Sequence, residues 1–313
     1  MNKVQIGQMI ESFDGAKIFC REWNEVGNPK AVMLILHGMV EHCARYHEFA
    51  KYMNMRGVVV FSMDLRAHGQ TVGDSQKIGK YSGDLAKDVV SDAVYFADKL
   101  IEKYNLPLIV LGHSYGSFML QRFVQVYHKH SLAIFVGSAY MKGNSSVGLG
   151  KFVAKITKFF CGKNAKAKLI YKLSFGTYGK NFENGNWLTS DEEKFQEYVK
   201  DEYCGAVCSA NFYVSFFSHL KNIYKSEYLN QIDKNIPMLI TSGEDDPVGG
   251  KKADLVHKLA NMYRDLGVEI VDEKIWGAKR HEILNETNRL EVYKYIGDFC
   301  EEFCLNKKEE KSN

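Results

Sequence analysis

The pentapeptide Gly112-His113-Ser114-Tyr115-Gly116 follows directly on an apolar run at residues 108–111 and leads directly into a helix-like stretch. Between a strand and a helix, G-x-S-x-G makes a very tight turn. Only small residues fit two places before and two places after the serine, whose hydroxyl is left exposed at the carboxyl edge of a sheet. Short glycine and serine combinations recur by chance. The force of this one lies in its single occurrence and in its strand–turn–helix setting.

The rest of the chain supplies a matching scaffold. Residues 9–23 alternate about Asp14-Gly15, which predicts two antiparallel strands joined by a two-residue hairpin turn. Strand-like segments follow at 31–36, 58–63, 108–111 and 132–136, separated by helix-like segments at 45–55, 84–103 and 117–128. The rhythm stops from about residue 141 to 220. It resumes with a strand at 237–241, a helix at 251–266, a strand at 268–275 and a helix at 285–303. Short, wholly apolar strands alternating with helices predict an α/β fold, a mostly parallel sheet covered on both faces. The core is expected at residues 1–140 and 221–305, with a mainly helical cap inserted at 141–220 and a frayed tail at 306–313.

At 313 residues the chain can bury about three-quarters of its unfolded surface, so it needs neither disulfide nor metal staples. A formal net charge of +3 is too small to argue for a nucleic-acid partner. The seven cysteines form no dense framework and fit reduced thiols. Cys204/Cys208 and Cys300/Cys304 have i,i+4 spacing, which predicts each pair on one helix face as small apolar residues, not as a zinc or redox motif. With no apolar signal core at the N-terminus and no run of membrane-spanning length, a cytoplasmic protein is expected.

A serine hydroxyl is a poor nucleophile without a base to take its proton and a carboxylate to orient that base. Both partners lie after Ser114, in loops that follow strands. The first loop is Ser242-Gly243-Glu244-Asp245-Asp246-Pro247-Val248, and the second carries His281 after Trp276-Gly277-Ala278-Lys279-Arg280. No other histidine follows a late strand. Of the adjacent acids only one neighbour of a pair should face the histidine, because successive side chains of an extended segment point oppositely. Pro247 biases Asp246 to an extended conformation without choosing between Asp245 and Asp246. Acyl transfer also needs amide donors aimed at the developing oxyanion, each worth about 3–4 kcal/mol. The N–H of Tyr115 and that of Met39, in the loop His37-Gly38-Met39-Val40-Glu41-His42, are the natural candidates.

At this point the chain resembles a known family. His37-Gly38-Met39-Val40-Glu41-His42-Cys43-Ala44-Arg45-Tyr46 is similar to the H-G-x-x-E-H-x-x-R-Y motif of the monoacylglycerol lipase and lysophospholipase-like α/β-hydrolases, of serine aminopeptidase S33 type. Asp64-Leu65-Arg66-Ala67-His68-Gly69-Gln70-Thr71 resembles their D-x-R-G-H-G-x-S. The elbow, the Ser-Gly-x-x-Asp-Pro-Val loop and Arg280-His281-Glu282-Ile283-Leu284-Asn285-Glu286 match as well, especially in bacterial members, and Trp187-Leu188-Thr189 and Cys204-Gly205 resemble the family's cap. The resemblance implies an α/β-hydrolase fold with Ser114 as nucleophile, Asp246 as acid, His281 as base, and the Met39 and Tyr115 amides as oxyanion hole. It also puts His37, Glu41, Arg45 and His113 at the substrate pocket, and it implies no cofactor and no metal.

Three departures stand out. Val40 and Ala67 replace common glycines, and Leu284 stands where monoacylglycerol lipases tend to carry a second histidine near the glycerol. Glu41 and Arg45 have two readings, as the lining of an alcohol-side pocket or as an ion pair that holds their loop.

The inserted segment has its own character. From residue 141 to 182 there are nine lysines and no acidic residue, and Leu149, Phe152, Val153, Ile156, Phe159 and Phe160 recur at helical spacing. One reading makes this apolar face the roof of an acyl pocket, with the lysines as a solvated exterior. The other makes it a basic amphipathic helix in peripheral contact with an anionic membrane. The expected activity is a serine carboxylic ester hydrolase acting through an acyl-enzyme on monoacylglycerol, lysophospholipid or similar monoacyl esters. A peptidase or amidase and an acyltransferase are its rivals within the fold, and a non-catalytic lipid-binding protein is the rival from another class.

Overall fold

A computed structural model of the chain describes residues 7–173 and 175–305. The expected tail at 306–313 lies outside the described residues. An eight-stranded sheet runs in the order β1-β2-β4-β3-β5-β6-β7-β8. Its strands are β1 (Gln8–Glu11), β2 (Lys17–Trp23), β3 (Ala31–Leu36), β4 (Val58–Met63), β5 (Leu108–His113), β6 (Leu132–Val136), β7 (Met238–Gly243) and β8 (Val271–Trp276). The first two pair antiparallel and the rest are parallel. Every residue of β3, β4, β5, β6 and β7 is buried, because helices cover both faces of the sheet.

The helices are α1 (His47–Met55), α2 (Leu85–Tyr104), α3 (Tyr115–Val126), α4 (Ser145–Cys161), α5 (Lys168–Leu173), α6 (Phe175–Tyr178), α7 (Glu192–Lys200), α8 (Ala210–Asn222), α9 (Ser226–Leu229), α10 (Asp254–Asp265) and α11 (Arg289–Cys300). Alternate residues of one strand feed opposite cores. Val32, Leu34 and Leu36 pack with α2, α3 and α10, whereas Met33 and Ile35 pack with α1 and α11. The chain leaves β3 for β4 on one side and returns to β5 on the other. That makes the carboxyl ends of β3 and β5 a topological switch point, where open α/β sheets place their ligands.

Several expectations are corrected by the structure. The first hairpin has a three-residue loop, Phe13-Asp14-Gly15: Ser12 N–H still bonds Ala16 O at 2.8 Å, and Gly15 closes the loop at φ 80°. A type I turn followed by a left-handed glycine matches strand twist as well as a two-residue turn does. The last strand begins at Val271, since the amides of Val268 and Glu269 bond Tyr263 O and Lys234 O outside the sheet. The expected end of the insertion, residue 220, falls inside α8. Cys204 and Cys208 share no helix, because the chain between α7 and α8 turns at Gly205, φ 70°, and only Cys208 is buried.

Of the apolar stripe expected on α4, Val153 packs against the core, and none of the stripe lines the cleft walled in part by Trp187 and Tyr198. The small residues of α4, Val147, Gly150 and Ala154, face α8, while Leu149, Phe152, Phe159 and Phe160 face outward.

Candidate active site

Four loops meet above the carboxyl ends of β3, β5, β7 and β8. Ser114 ends β5 and caps α3 with φ 50° and ψ −117°, a combination that L-residues adopt only where the surroundings enforce it. The surroundings here are steric. A Cβ on Gly112 would stand 2.6 Å from Gly116 O, and one on Gly116 would stand 2.1 Å from Leu36 O. Both positions must therefore be glycine if α3 is to start this close to β3. Ser114 N–H donates to Val136 O at 2.9 Å, which ties the turn to the next strand.

Asp246, in the loop after β7, is fully buried and accepts from His281 Nδ1 at 2.9 Å and from Ser242 Oγ at 3.0 Å through Oδ2. Its Oδ1 accepts from Val248 N–H at 2.8 Å. Burial alone would raise the Asp246 pKa, but the His281 charge and these donors outweigh it and hold the carboxyl below its ordinary range. An ionised carboxylate only accepts, so the shared proton sits on Nδ1, which in the neutral ring makes Nε2 the acceptor. Asp245, the alternative acid, is exposed, and its amide is held by Lys279 O at 2.9 Å.

The His281 ring lies 5.0 Å from the ring of His113, the residue before Ser114, and 4.9 Å from the ring of Trp187. Behind it is Gly137, where a Cβ would come within 3.1 Å of Cε1. On the other side of the elbow, a Cβ on Gly38 would stand 3.3 Å from Ser114 Cβ, so the loop carrying Met39 borders the serine. Tyr115 is the first residue of α3, and its amide belongs to the helix-start N–H groups that have no acceptor within the helix.

The four residues expected at the pocket separate into two groups. His37 is fully buried; its Nε2 accepts from Leu65 N–H at 2.9 Å and its Nδ1 bonds Gly38 O at 2.8 Å. Burial drives its pKa down to about 3, so it is a neutral strut that shapes the loop. Glu41, Arg45 and His113 instead form one network. Glu41 Oε1 accepts from Gly38 N–H (2.5 Å), Tyr46 OH (2.9 Å) and His113 Nδ1 (3.1 Å), and Oε2 accepts from Arg45. Burial would raise Glu41, but the Arg45 charge and His113 bring it well below the ordinary value. Burial would likewise depress His113, and its bond to Glu41 reverses the sign.

Glu282 is the member that sequence reasoning missed. It takes both guanidinium nitrogens of Arg45, at 2.8 and 2.6 Å, and is as deeply buried as Glu41. Its only signal was position, one residue after His281. Glu286 belongs to the same motif as Glu282, four residues on. It accepts from Ser190 N–H (2.9 Å) and Arg280 N–H (3.0 Å), and it also accepts from Ser190 Oγ, fastening the His281 loop to the inserted segment. Arg280 adds bonds to Asn186 O and Thr189 O at 2.7 and 3.0 Å.

Two spaces adjoin this centre. A cleft of about 350 Å³ opens within the inserted segment and reaches Val40 of the loop after β3; Trp187, Leu188, Phe195 and Tyr198 are among its walls. A far smaller void of about 10 Å³ lies between Arg45, His113, Glu282 and Leu284. Among the described residues one group has a metal-like donor set, His42, Asp201 and Cys204, with ligand atoms within 4.8 Å of one another. His42 Nε2 already bonds Asp201 at 2.7 Å, so the group works as a clasp between the Glu41 loop and the segment before α8.

Comparison with known proteins bears on this arrangement. A family described as serine aminopeptidase, S33, matches residues 27–288. Mouse monoglyceride lipase is 35% identical over 104 residues, which cover 33% of this chain and 33% of that protein. The chain thus aligns with about a third of the length of such relatives. Monoacylglycerol lipase of Mycolicibacterium smegmatis is 25% identical over 276 residues, 87% of this chain and 88% of the relative. Among solved structures, a thermostable carboxyl esterase from Bacillus coagulans superposes with a TM-score of 0.86 at 22% identity, covering 95% of this chain and 98% of that one. A monoglyceride lipase from Saccharomyces cerevisiae gives 0.75 at 19% identity, with 97% of each chain covered.

Proposed function

The chain belongs to the serine aminopeptidase S33 family of α/β-hydrolases, and from that premise we propose that it is a serine ester hydrolase acting on monoacyl esters through an acyl-enzyme. The observation that supports this most is the 2.9 Å contact between a buried, ionised Asp246 and His281 Nδ1, with the imidazole beside the Ser114 elbow. In this reading Ser114 Oγ attacks the ester carbonyl and His281 Nε2 takes its proton. The Met39 and Tyr115 amides receive the oxyanion, and His281 returns the proton to the departing alcohol. Water, activated by the same imidazole, then releases the acid. Asp246 holds the tautomer and stabilises the imidazolium.

The cleft beneath Trp187 and Tyr198 is the proposed acyl site. At about 350 Å³ it lies near the lower end for ligand pockets, which favours short and medium chains over long ones. On the alcohol side, Arg45 is committed to Glu41 and Glu282, and Leu284 presents an apolar surface. Few polar groups remain for glycerol, so the alcohol selected is small or extends into solvent. The same ion network argues against aminopeptidase chemistry: both nearby carboxylates already accept from Arg45, and Glu41 accepts from Gly38 N–H, Tyr46 OH and His113 as well, so neither is turned toward a substrate amine. The free thiols fit a reducing compartment, and we place the chain in the cytoplasm on that ground.

A fluorophosphonate probe tests the chemistry. Wild type should label covalently and Ser114→Ala should not; labelling that survives the substitution sinks the proposal. A series of p-nitrophenyl esters then reads the acyl preference, with a maximum expected at short to medium length.

A further inference from the structure

We propose that the clasp of His42, Asp201 and Cys204 is a zinc site that joins the loop after β3 to the inserted segment. A hydrogen-bonded histidine and aspartate alone would not point to an ion. Here the chain brings a thiol to the same place: one ligand atom from each of the three residues lies within 4.8 Å of the other two. Backbone bonds build the convergence. Cys204 N–H donates to Asp201 O at 3.0 Å, closing a turn that sets these two side chains, three residues apart, beside each other. Asp201 Oδ1 accepts from Tyr203 N–H at 2.8 Å, so Oδ2 is the oxygen left for His42 Nε2, 2.7 Å away. Gly205 then turns at φ 70° and donates to Val40 O at 3.0 Å, two residues before His42. The Tyr203 ring stands edge-on to the His42 ring, 6.2 Å between centroids, and limits its swing.

The donor set selects the ion. Imidazole nitrogen, carboxylate oxygen and thiolate sulfur together suit zinc, whereas magnesium and calcium prefer shells made of oxygen. Tetrahedral bonds of about 2.0–2.3 Å hold ligand atoms roughly 3.3–3.6 Å apart. The His42–Asp201 contact must open and the widest separation must close, each by roughly an ångström, which rotation of the side chains supplies. The His42 and Asp201 side chains are 16% and 29% exposed, so an ion can enter from solvent and a water can take the fourth position. Charge favours it too. Asp201 and a Cys204 thiolate cancel the two charges of the ion, and Glu41 and Glu282 outnumber Arg45 close by. On binding, the thiol proton passes to solvent, His42 carries its proton on Nδ1, and three waters leave the ion for three protein ligands; nothing is oxidised or reduced. Val40, Cys204 and Gly205 all line the cleft of about 350 Å³, so the ion braces that wall. The inference does not rest on the chemistry proposed for Ser114.

Metal titration of the full chain tests it. After stripping with a chelator and reduction with a phosphine, calorimetry with zinc chloride should show one site of micromolar or tighter affinity, undisturbed by millimolar magnesium. Cobalt chloride in place of zinc should give a thiolate-to-cobalt charge-transfer band and the intense visible bands of a tetrahedral ion. Cys204→Ser should abolish the charge-transfer band and weaken zinc binding by at least about a hundredfold, since even the outer partners of metal ligands are worth about 10–100-fold. Asp201→Asn keeps the turn and should weaken zinc binding by about tenfold or more. Zinc should raise the thermal unfolding midpoint of wild type and leave that of Cys204→Ser where it was. Without metal, both variants should unfold as wild type does. No saturable binding, a cobalt complex without the sulfur band, or a sulfur band that survives Cys204→Ser overturns the proposal. A band lost instead in Cys161→Ser does so as well, by putting the ion on the exposed Cys161. The cobalt spectrum of wild type decides even if a variant does not fold.

Discussion

Arg45 reaches Glu282 across 237 positions of sequence, through guanidinium bonds of 2.8 and 2.6 Å, while its Nη1 also donates to Glu41. One cation thus ties the loop after β3 to the loop after β8. The first of these borders Ser114 and the second carries His281, so the pair sets the distance between the two halves of the proposed reaction centre.

Removing that cation should be costly. Arg45→Met leaves Glu41 and Glu282 facing each other without compensation, and we expect a loss of about 3–5 kcal/mol in urea unfolding. Arg45→Lys should recover part of it, because a point charge cannot bond both carboxylates in the same fork geometry. A loss below about 1 kcal/mol for the methionine variant would show that the network is dispensable.

The two adjacent acids should differ sharply. Asp246→Asn removes the acceptor that sets the His281 tautomer, and kcat for ester hydrolysis should fall by about four orders of magnitude. Asp245 is exposed, and Asp245→Asn should stay within a few-fold of wild type. Steady-state kinetics on one soluble ester decides; the reverse pattern would reassign the acid.

Gly116→Ala should not be tolerated. The added methyl would sit 2.1 Å from Leu36 O, at the end of β3, and 2.6 Å from His37 O, the next backbone carbonyl. We expect insoluble protein, or a fold weakened by more than about 4 kcal/mol. Ala67→Gly should go the other way. Ala67 holds φ at 67°, where an L-residue costs about 1–2 kcal/mol, so glycine should raise stability by about 0.5–1 kcal/mol after its own entropy cost. An unfolding midpoint that drops in that variant would contradict the strain.

Stability should fall as the pH is lowered from neutral. Burial depresses His37 to about 3 and His68, His130 and His219 to about 4, so each is neutral in the fold and charges readily when unfolded. The unfolded chain therefore binds more protons below about pH 6.5, and each such histidine removes roughly 1.4 kcal/mol per pH unit once its unfolded form is charged. His113, raised by Glu41, contributes the opposite sign, present below its ordinary 6.5 and lost as pH rises through its folded value. A second loss begins below about pH 4.5, where Glu41, Glu282 and Asp246, all held low in the fold, are protonated first in the unfolded chain. Urea midpoints at pH 7, 6 and 5 test the first phase; a flat series would mean that the buried histidines are hydrated.

The sheet was legible because its signals are short-range. An all-buried strand such as β3 is a run of six apolar residues, and the steric demand on Gly112 and Gly116 lies within two positions of Ser114. The hairpin loop and the start of β8 were misjudged by one or a few residues, since the competing backbone bonds of Ser12 and Glu269 leave no mark in composition. The Cys204/Cys208 spacing misled for a related reason: i,i+4 has meaning only on a helix, and Gly205 breaks the chain there.

What the amino-acid sequence determined by itself is everything that neighbours along the chain can enforce. That covers which segments are strands, where the glycine-framed turn puts its serine, and which loops bring Asp246 and His281 after it. Local sequence left two adjacent aspartates open and the family resemblance implied Asp246; the tertiary structure turns Asp246 inward to His281. It also decided that Arg45 closes on Glu282 rather than waiting for a ligand, and that α4 sits on its small residues with its phenylalanines outward. Periodicity reveals that a helix has an apolar stripe, but not which of two apolar faces the body of the protein will accept. That choice depends on the shape of α8 opposite, against which the small residues Val147, Gly150 and Ala154 fit.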